Sequence, residues 1–582
     1  MWSSRWIIRK PISIRSFLRI INVFRRRQWL VLFQALRTRD RILVLFFSVV
    51  GLVALLFWLG ALYVASTKAV PDFGGEYTEG IVSQPRYINP ILSQTSEADA
   101  DISKLVYSGL FGYDAQGKLV KEMLDNYTIS EDGKTYTLTL KQGVRWHDGE
   151  EVTADDVLFT IRAIQKPAYK SPLRSNWLSV EAVLIDRYSL SLTLKKTYFG
   201  FLENLTVGIL PKHIWDTITP ENFLLADYNL APIGSGPYRF YDFEKDSSGN
   251  MLSYDLRAFD KYFSGAPYID KIAFHFYPDE ASLLDAYSRK EVLGINSVTP
   301  GNLAKLLERK SSRVYEIAIP RVFAIFFNIT KSVVLAHDEV RTALAFATDR
   351  EAIIRDVLLG KGQSAESALL PFMNGYAADV SNPRFDESQA NALLDQHNWK
   401  RGEDGIRAKD GTVLEIELFV PGWPELARTA ELLREQWGRV GARVTISSLG
   451  AADLQENVIG PREYGALLFG EAAMIDSDPY SFWHSSQKKD PGLNLAMFDN
   501  KEADETLAVL RETLDPEKRQ EQYRTFQEIL ARENPAVFLY SPTFLYVVSS
   551  TVKGVETQNI NAPAHRLSTV KNWYMETKRV KK

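Results

Sequence analysis

Residues 132–164 read DGKTYTLTLKQGVRWHDGEEVTADDVLFTIRAI. Tyr136, Leu138 and Leu140 alternate with threonines, so a strand here has one apolar face. Trp146-His147-Asp148-Gly149 makes a turn, with Gly149 supplying backbone freedom. Thr153 stands as an N-cap, and Asp156, three residues on, is its capping-box partner. Ala154, Val157, Leu158, Ile161 and Ile164 fall on one face of the helix so capped. The stretch is a strand, a turn and a capped amphipathic helix, and it carries no reactive group.

Outward from this module the same two periods recur. Upstream, Tyr77–Val82 reads as a strand, Gln84–Pro90 as a loop and Glu97–Leu110 as a helix. Downstream, Ser189–Leu194 (SLSLTL) closes a second alternating pair over Val180–Leu194. Ala231–Tyr238 (APIGSGPY) is a turn cluster, and Ile272–Tyr277 is a strand. A second half starts near Ile317, with a buried strand at Val322–Asn328 and a long helix at Asp338–Leu359. Leu414–Val420, Glu425–Val440 and Arg443–Ser447 alternate strand, helix, strand, which favours a parallel pair with a helical crossover. Lys518–Glu533 is helical, Val537–Tyr540 and Leu545–Val548 are strands, and the basic tail from Lys578 is expected to be loose. No internal repeat is visible.

The 582 residues exceed one ordinary domain, and 45% hydrophobic content with 24% charge is that of a globular chain. There is no cysteine, which excludes disulfides, thiolate metal sites, a cysteine nucleophile and a lipid-anchored N-terminal cysteine. The net charge of −3 hides an asymmetry: residues 1–41 hold eleven Lys/Arg against Asp40, a net of +10, which leaves −13 for the rest.

A basic arm on an acidic body suggests nucleic acid until the next segment is read. Ile42–Thr67 is 26 residues without a charge, and about 20 span a bilayer core. The arm places the N-terminus in the cytoplasm by the positive-inside rule. The expectation is an uncleaved single-pass anchor with the body outside and no nucleic-acid role. A signal peptide cut near Val64-Ala65-Ser66 is the competitor, against which stand the length of the apolar run and of the arm. The arm itself is either an amphipathic helix on the inner leaflet, with Ile12, Phe17, Leu18, Ile20, Ile21, Val23 and Phe24 among its arginines, or a disordered tail that only fixes topology.

Six ordered motifs carry a resemblance. Lys134–Val157 closely resembles the signature of the extracytoplasmic solute-binding proteins of ABC transporters, oligopeptide- and dipeptide-binding family (bacterial solute-binding protein family 5). Tyr87–Pro90 with Val106–Gly109 is similar to its "lnP … yegL", Ile209–Ile214 to "ilPkH", and Ile233–Tyr238 (IGSGPY) to "GTGPY". Asn328 with Val340–Arg350 (VRTALAFATDR) resembles "N … vRqAls.aiDr", and Asp478–Trp483 (DPYSFW), with Asn494 and Tyr523, the late segment.

The resemblance covers about residues 76–570. It implies an α/β, two-lobe periplasmic-binding-protein-like (Venus-flytrap) fold with an accessory subdomain at about 112–230, beside the N-terminal transmembrane helix. The chain then divides into arm (1–41), helix (42–67), linker (68–75), lobe I (76–320), lobe II (321–536), a return to lobe I (537–575) and a tail (576–582). The crossings fall near Ala318–Val322 and Val537–Tyr540. The function implied is a monomeric, membrane-tethered receptor that binds peptides between the lobes and serves an ABC permease whose ATPase is another chain. Alternatives are a non-peptide solute, such as a sugar or nickel complex, or a signalling or structural role. The anchor and the arginine arm depart from the family pattern.

No enzyme chemistry is legible. The seven histidines form no HExxH or other metal spacing, and neither a Walker A loop nor a GxSxG motif occurs. No metal or cofactor is expected, and His147 reads as a turn-stabilising side chain. Five residues are candidate ligand contacts. Trp423 stands just past a strand end, where ligands meet α/β lobes. Gln84 and Tyr87 lie in a loop that in the family faces the cleft. Asp476 corresponds to the aspartate with which the family's peptide binders hold the ligand's α-amine, although that residue usually stands three before the DP acid, where this chain has Ile475. Asp478, followed by Pro479, reads as N-cap and N1 of a short helix.

Overall fold

The computed structural model describes residues 35–307, 311–380 and 383–582. The arm's expected helix, over residues 12–24, lies outside them. The described residues form two compact units, 35–71 with 577–582, and 72–576.

In the smaller unit an apolar helix, Thr38–Ser66, has no buried residue and is long and apolar enough to cross a membrane. It runs straight into a strand, Thr67–Asp72, which pairs with Glu576–Lys581. The stretches expected as linker and loose tail are therefore in part a two-stranded ribbon. Arg579 joins ribbon to helix: its guanidinium donates to Val64 O at 3.0 Å, Thr67 O at 3.1 Å and Thr67 Oγ1 at 2.8 Å. Carbonyls at a helix end lack intrahelical donors, and this arginine supplies one.

The larger unit is built on two main sheets. The first has seven strands, ordered 312–317, 544–549, 294–295, 76–81, 271–276, 251–258, 238–245. The second has six, ordered 362–364, 536–542, 321–327, 466–472, 415–421, 443–449. Glu415–Pro421 and Arg443–Leu449 pair in parallel through the helix Pro424–Arg439, the crossover expected. Buried apolar clusters cover both faces of this sheet, as parallel strands require.

The chain passes from first sheet to second between Ile317 and Arg321, where a crossing was expected. It returns at Thr543, later than the expected Val537–Tyr540. Val537, Phe538 and Tyr540 still pair with Ile325, Ala324 and Phe323 of the second sheet, whereas Phe544–Ser549 pairs with Ser312–Ile317 of the first. Apolar runs on both sides conceal the change, and only Ser541-Pro542-Thr543 marks it. The return is then locked by Arg566. Its fully buried guanidinium lies between Asp101, at 2.7 Å, and Glu79.

The expected long helix Asp338–Leu359 is two, Asp338–Phe346 and Arg350–Asp356. Asp349 restarts the turn by accepting from Ala352 N at 2.9 Å, and Arg350 is drawn inward to Phe538 O at 2.7 Å.

Residues 132–164 form the strand and helix expected, within a separate antiparallel sheet of strands 124–129, 135–140, 189–194 and 180–184. Thr153 N donates to Asp156 at 2.8 Å, and the other Asp156 oxygen accepts from Lys212 N at 2.8 Å, joining the capped helix to the Pro-Lys-His turn. His147 does the same for the glycine turn. Its Nδ1 accepts from Gly234 N at 3.2 Å and its Nε2 lies 3.0 Å from Gly236 O. Burial lowers its pKa to about 4, so the ring stays neutral. A Cβ on Gly234 would lie 1.9 Å from Val106 O, which explains why the turn needs glycine there.

Candidate ligand-binding site

Two cavities, of about 450 and 680 Å³, open between the halves built on the two main sheets. Both are lined by Asn176, Glu203, Asn204 and Met474, so they form one cleft. One wall comes from the helix Glu97–Val106, from Tyr113 and from the short helix Phe201–Asn204. The other comes from Arg321, at the first crossing, and from the segment that leaves the strand Ala466–Ala472. A cleft at the carboxyl end of a sheet strand is where open α/β sheets take ligands.

That segment is pinned from several directions. Ala473 N donates to Pro320 O at 2.8 Å, and Asn374 N to Ile475 O at 2.8 Å. Ile475 N donates to the Asn561 side chain of the other half at 2.6 Å, and Tyr523 Oη to Ser477 O at 2.5 Å. With the backbone so occupied, the Asp476 side chain lines the cleft. Its carboxylate accepts from Asn374 Nδ2 at 3.3 Å, and among the described residues it has no cationic partner.

Asp478 lines the same cleft, but its carboxylate is engaged. Arg511 Nε donates to Oδ2 at 2.7 Å, and Tyr480 N to Oδ1 at 3.1 Å. Burial raises this carboxyl above its ordinary range, and the Arg511 charge opposes the shift. The expected short helix forms at Tyr480–Trp483, with Pro479 at its N-cap, so Asp478 reaches the first helical N–H from one residue further back than expected.

Trp423, Gln84 and Tyr87 are not among the residues lining the cleft. Trp423 is 46% exposed and stacks on Phe469 at 6.4 Å between centroids. Gln84 Oε1 accepts from Met251 N at 3.1 Å, tying its loop to a strand. Tyr87 packs against the core of the first half, and its N–H is held by Asp99 at 2.9 Å.

Several lining residues escaped the sequence. Glu203 accepts from the Tyr113 hydroxyl. Burial pushes its carboxyl up to about 7; the Tyr113 bond pulls down and the Asp476 charge pushes up. Tyr113 also packs on His565, at 4.4 Å between centroids, and burial lowers that ring to about 3. Lys104 stands 3.9 Å from Glu122. In sequence Glu203 is one charge on an ordinary helix end, with no spacing to join it to Asp476. The arrangement offers carboxylates, aromatic walls and hydrogen-bonding amides in a cleft, which is what recognition of a polar ligand needs. Among the described residues no group of three His, Asp or Glu side chains is placed to hold a metal ion.

The family model described as "Bacterial extracellular solute-binding proteins, family 5 Middle" matches residues 118–492. The chain is 28% identical over 516 residues to the oligopeptide-binding protein AppA of Bacillus subtilis (strain 168), covering 87% of this chain and 92% of that protein. It is 27% identical over 470 residues to the dipeptide-binding protein of Escherichia coli (strain K12), covering 75% and 83%. The solved structure of Bacillus subtilis AppA in complex with a nonapeptide superposes with a TM-score of 0.72 at 26% identity, over 87% of this chain and 100% of that one.

Proposed function

Because the chain belongs to the bacterial extracellular solute-binding proteins of family 5, we propose that it is a membrane-tethered receptor that binds peptides in the cleft between its lobes and delivers them to an ABC permease. Solute-binding proteins of this family serve ABC importers, whose permease and ATPase are other chains. The peptide assignment draws on the oligopeptide- and dipeptide-binding relatives. At the residue level one observation carries it: Asp476, a carboxylate without a cationic partner among the described residues, faces a cleft at a strand end. A peptide's α-ammonium fits such a group as a charge-assisted hydrogen bond. Tethering is supported by the 29-residue apolar helix behind a basic arm. The body then lies on the extracytoplasmic face.

Two measurements on the full chain, extracted from membranes in mild detergent, test this. Mass spectrometry of what co-purifies should find short peptides; a sugar or a nickel complex alone would transfer the assignment to that solute. Calorimetry with the peptide recovered should then show Asp476→Asn losing about 2–5 kcal/mol of binding, much of it the cost of an unpaired buried ammonium. Unchanged affinity in Asp476→Asn would remove the residue from the site.

A further inference from the structure

We propose that Glu203 is the second half of an amine-recognising pair, set against Asp476 from the opposite lobe, so that a cationic group of the ligand must enter between them for the lobes to close. The proposal rests on the peptide assignment for the source of that cation, a peptide's amino terminus.

The two carboxylates belong to different halves of the body. Glu203 is on the short helix Phe201–Asn204, whose Phe201 ring packs on Tyr136 of the four-stranded sheet of the first half. Asp476 lies beyond the strand Ala466–Ala472 of the second. Both line the 680 Å³ cavity. Neither has a cationic partner among the described residues: of the cations lining the cleft, Arg511 is held by Asp478, Lys104 by Glu122 and Lys196 by Glu512, while Arg321 and Lys195 pair with neither carboxylate. Two anions brought together as a cleft loses water repel more strongly than they do apart. Burial and the Asp476 charge together already push the Glu203 carboxyl up, to about 7, against its Tyr113 bond.

An ammonium group relieves this. It carries three donors and a full positive charge. One N–H can go to each carboxylate, which leaves a third for a carbonyl of the cleft. An acetylated amine offers one N–H and no charge, so beside it Glu203 must take up a proton or meet the Asp476 charge without a counter-ion. The Tyr113 hydroxyl holds Glu203 and needs no ligand. A pair divided between the lobes therefore ties selection of the amine to closure, which a single aspartate on one lobe does not.

The test uses the full chain in lipid nanodiscs. The absence of native cysteine allows one spin label on each half, through Ser248→Cys and Glu403→Cys, both exposed. Distances are recorded without ligand, and affinities are measured for tetra-alanine and N-acetyl-tetra-alanine. Glu203→Gln should weaken tetra-alanine at least tenfold, narrow its advantage over the acetylated form, and raise the ligand-free population of short distances. Tyr113→Phe, which keeps the charge and removes only the hydrogen bond, should retain the preference for the free amine; equal loss in both variants would make Glu203 a structural residue. Wild-type distances and affinities in Glu203→Gln would overturn the pair. A wild type that binds neither peptide but closes on a diamine such as putrescine would discard the peptide and keep the pair, whereas no response to peptide or diamine, with ligand-free distances unmoved in Glu203→Gln, would discard both.

Discussion

Asp476 and Asp478 carry the same side chain two positions apart, and their surroundings give them different work. Asp478 is held by Arg511 and by the entry of a helix, so it fixes the shape of the cleft wall. Asp476 has only the amide of Asn374. Sequence offers both as ligand contacts but already separates them, reading Asp478 as a helix cap and leaving Asp476 free; what it does not show is the arginine that holds Asp478, on a later helix, Lys501–Glu512. Asp478→Asn should therefore lower stability by about 1–3 kcal/mol, the cost of leaving a charged partner unsatisfied, while the preference for free over acetylated amine survives. Denaturant titration and peptide competition on one preparation check this. If Asp478→Asn loses the amine preference as well, the two aspartates share the ligand.

Among the elements, the apolar helix was legible at once, and the strand directly after it was not. Residues 68–75 read as a short linker because Pro71 and the nearby glycines signal a turn. Thr67–Asp72, at its start, is nonetheless a strand because Glu576–Lys581 pairs with it, a partner some 500 residues away that no local pattern announces. The ribbon bears on processing. Arg579 bonds to Val64 O and Thr67 O, and cleavage near Ala65 would delete the first of these acceptors. We expect Edman sequencing of membrane-extracted protein to start upstream of Ile42. A mature chain beginning near Thr67 would make the helix a signal peptide and leave the receptor untethered.

Across the body as a whole there are two crossings, residues 318–320 and Thr543, between two sheets that are otherwise complete. Such short connections are where hinge rotation concentrates. The halves also meet across the cleft: Phe199 N donates to Arg511 O at 3.1 Å, and Lys196 stands 3.4 Å from Glu512. The exposed Lys196–Glu512 pair is weak by itself, and Phe199 packs on the core of the second half, so a ligand touching both walls should shift the population further towards the closed form. The same spin-label pair should report shorter distances at saturating ligand. A distribution that does not move when calorimetry shows the site full would mean that the halves form one rigid body.

A few neighbouring residues suffice to specify the alternating strand and capped helix at 132–164, the parallel strand–helix–strand of 415–449, the apolar helix, and the ordered motifs that gave the family. Period, cap and turn act over one or two turns of chain, so they are written where they act. Even so, the break at residues 347–349 is not visible locally, because it is held by a distant helix: Asp349 N donates to the Gln436 side chain at 3.0 Å instead of continuing the turn. The return crossing at Thr543, the ribbon, the engagement of Asp478 by Arg511, and the meeting of Glu203 with Asp476 in one cleft are set only once the chain is assembled. Each depends on sheet order and chain reversal, which bring together residues far apart in sequence whose own neighbours carry no trace of the encounter.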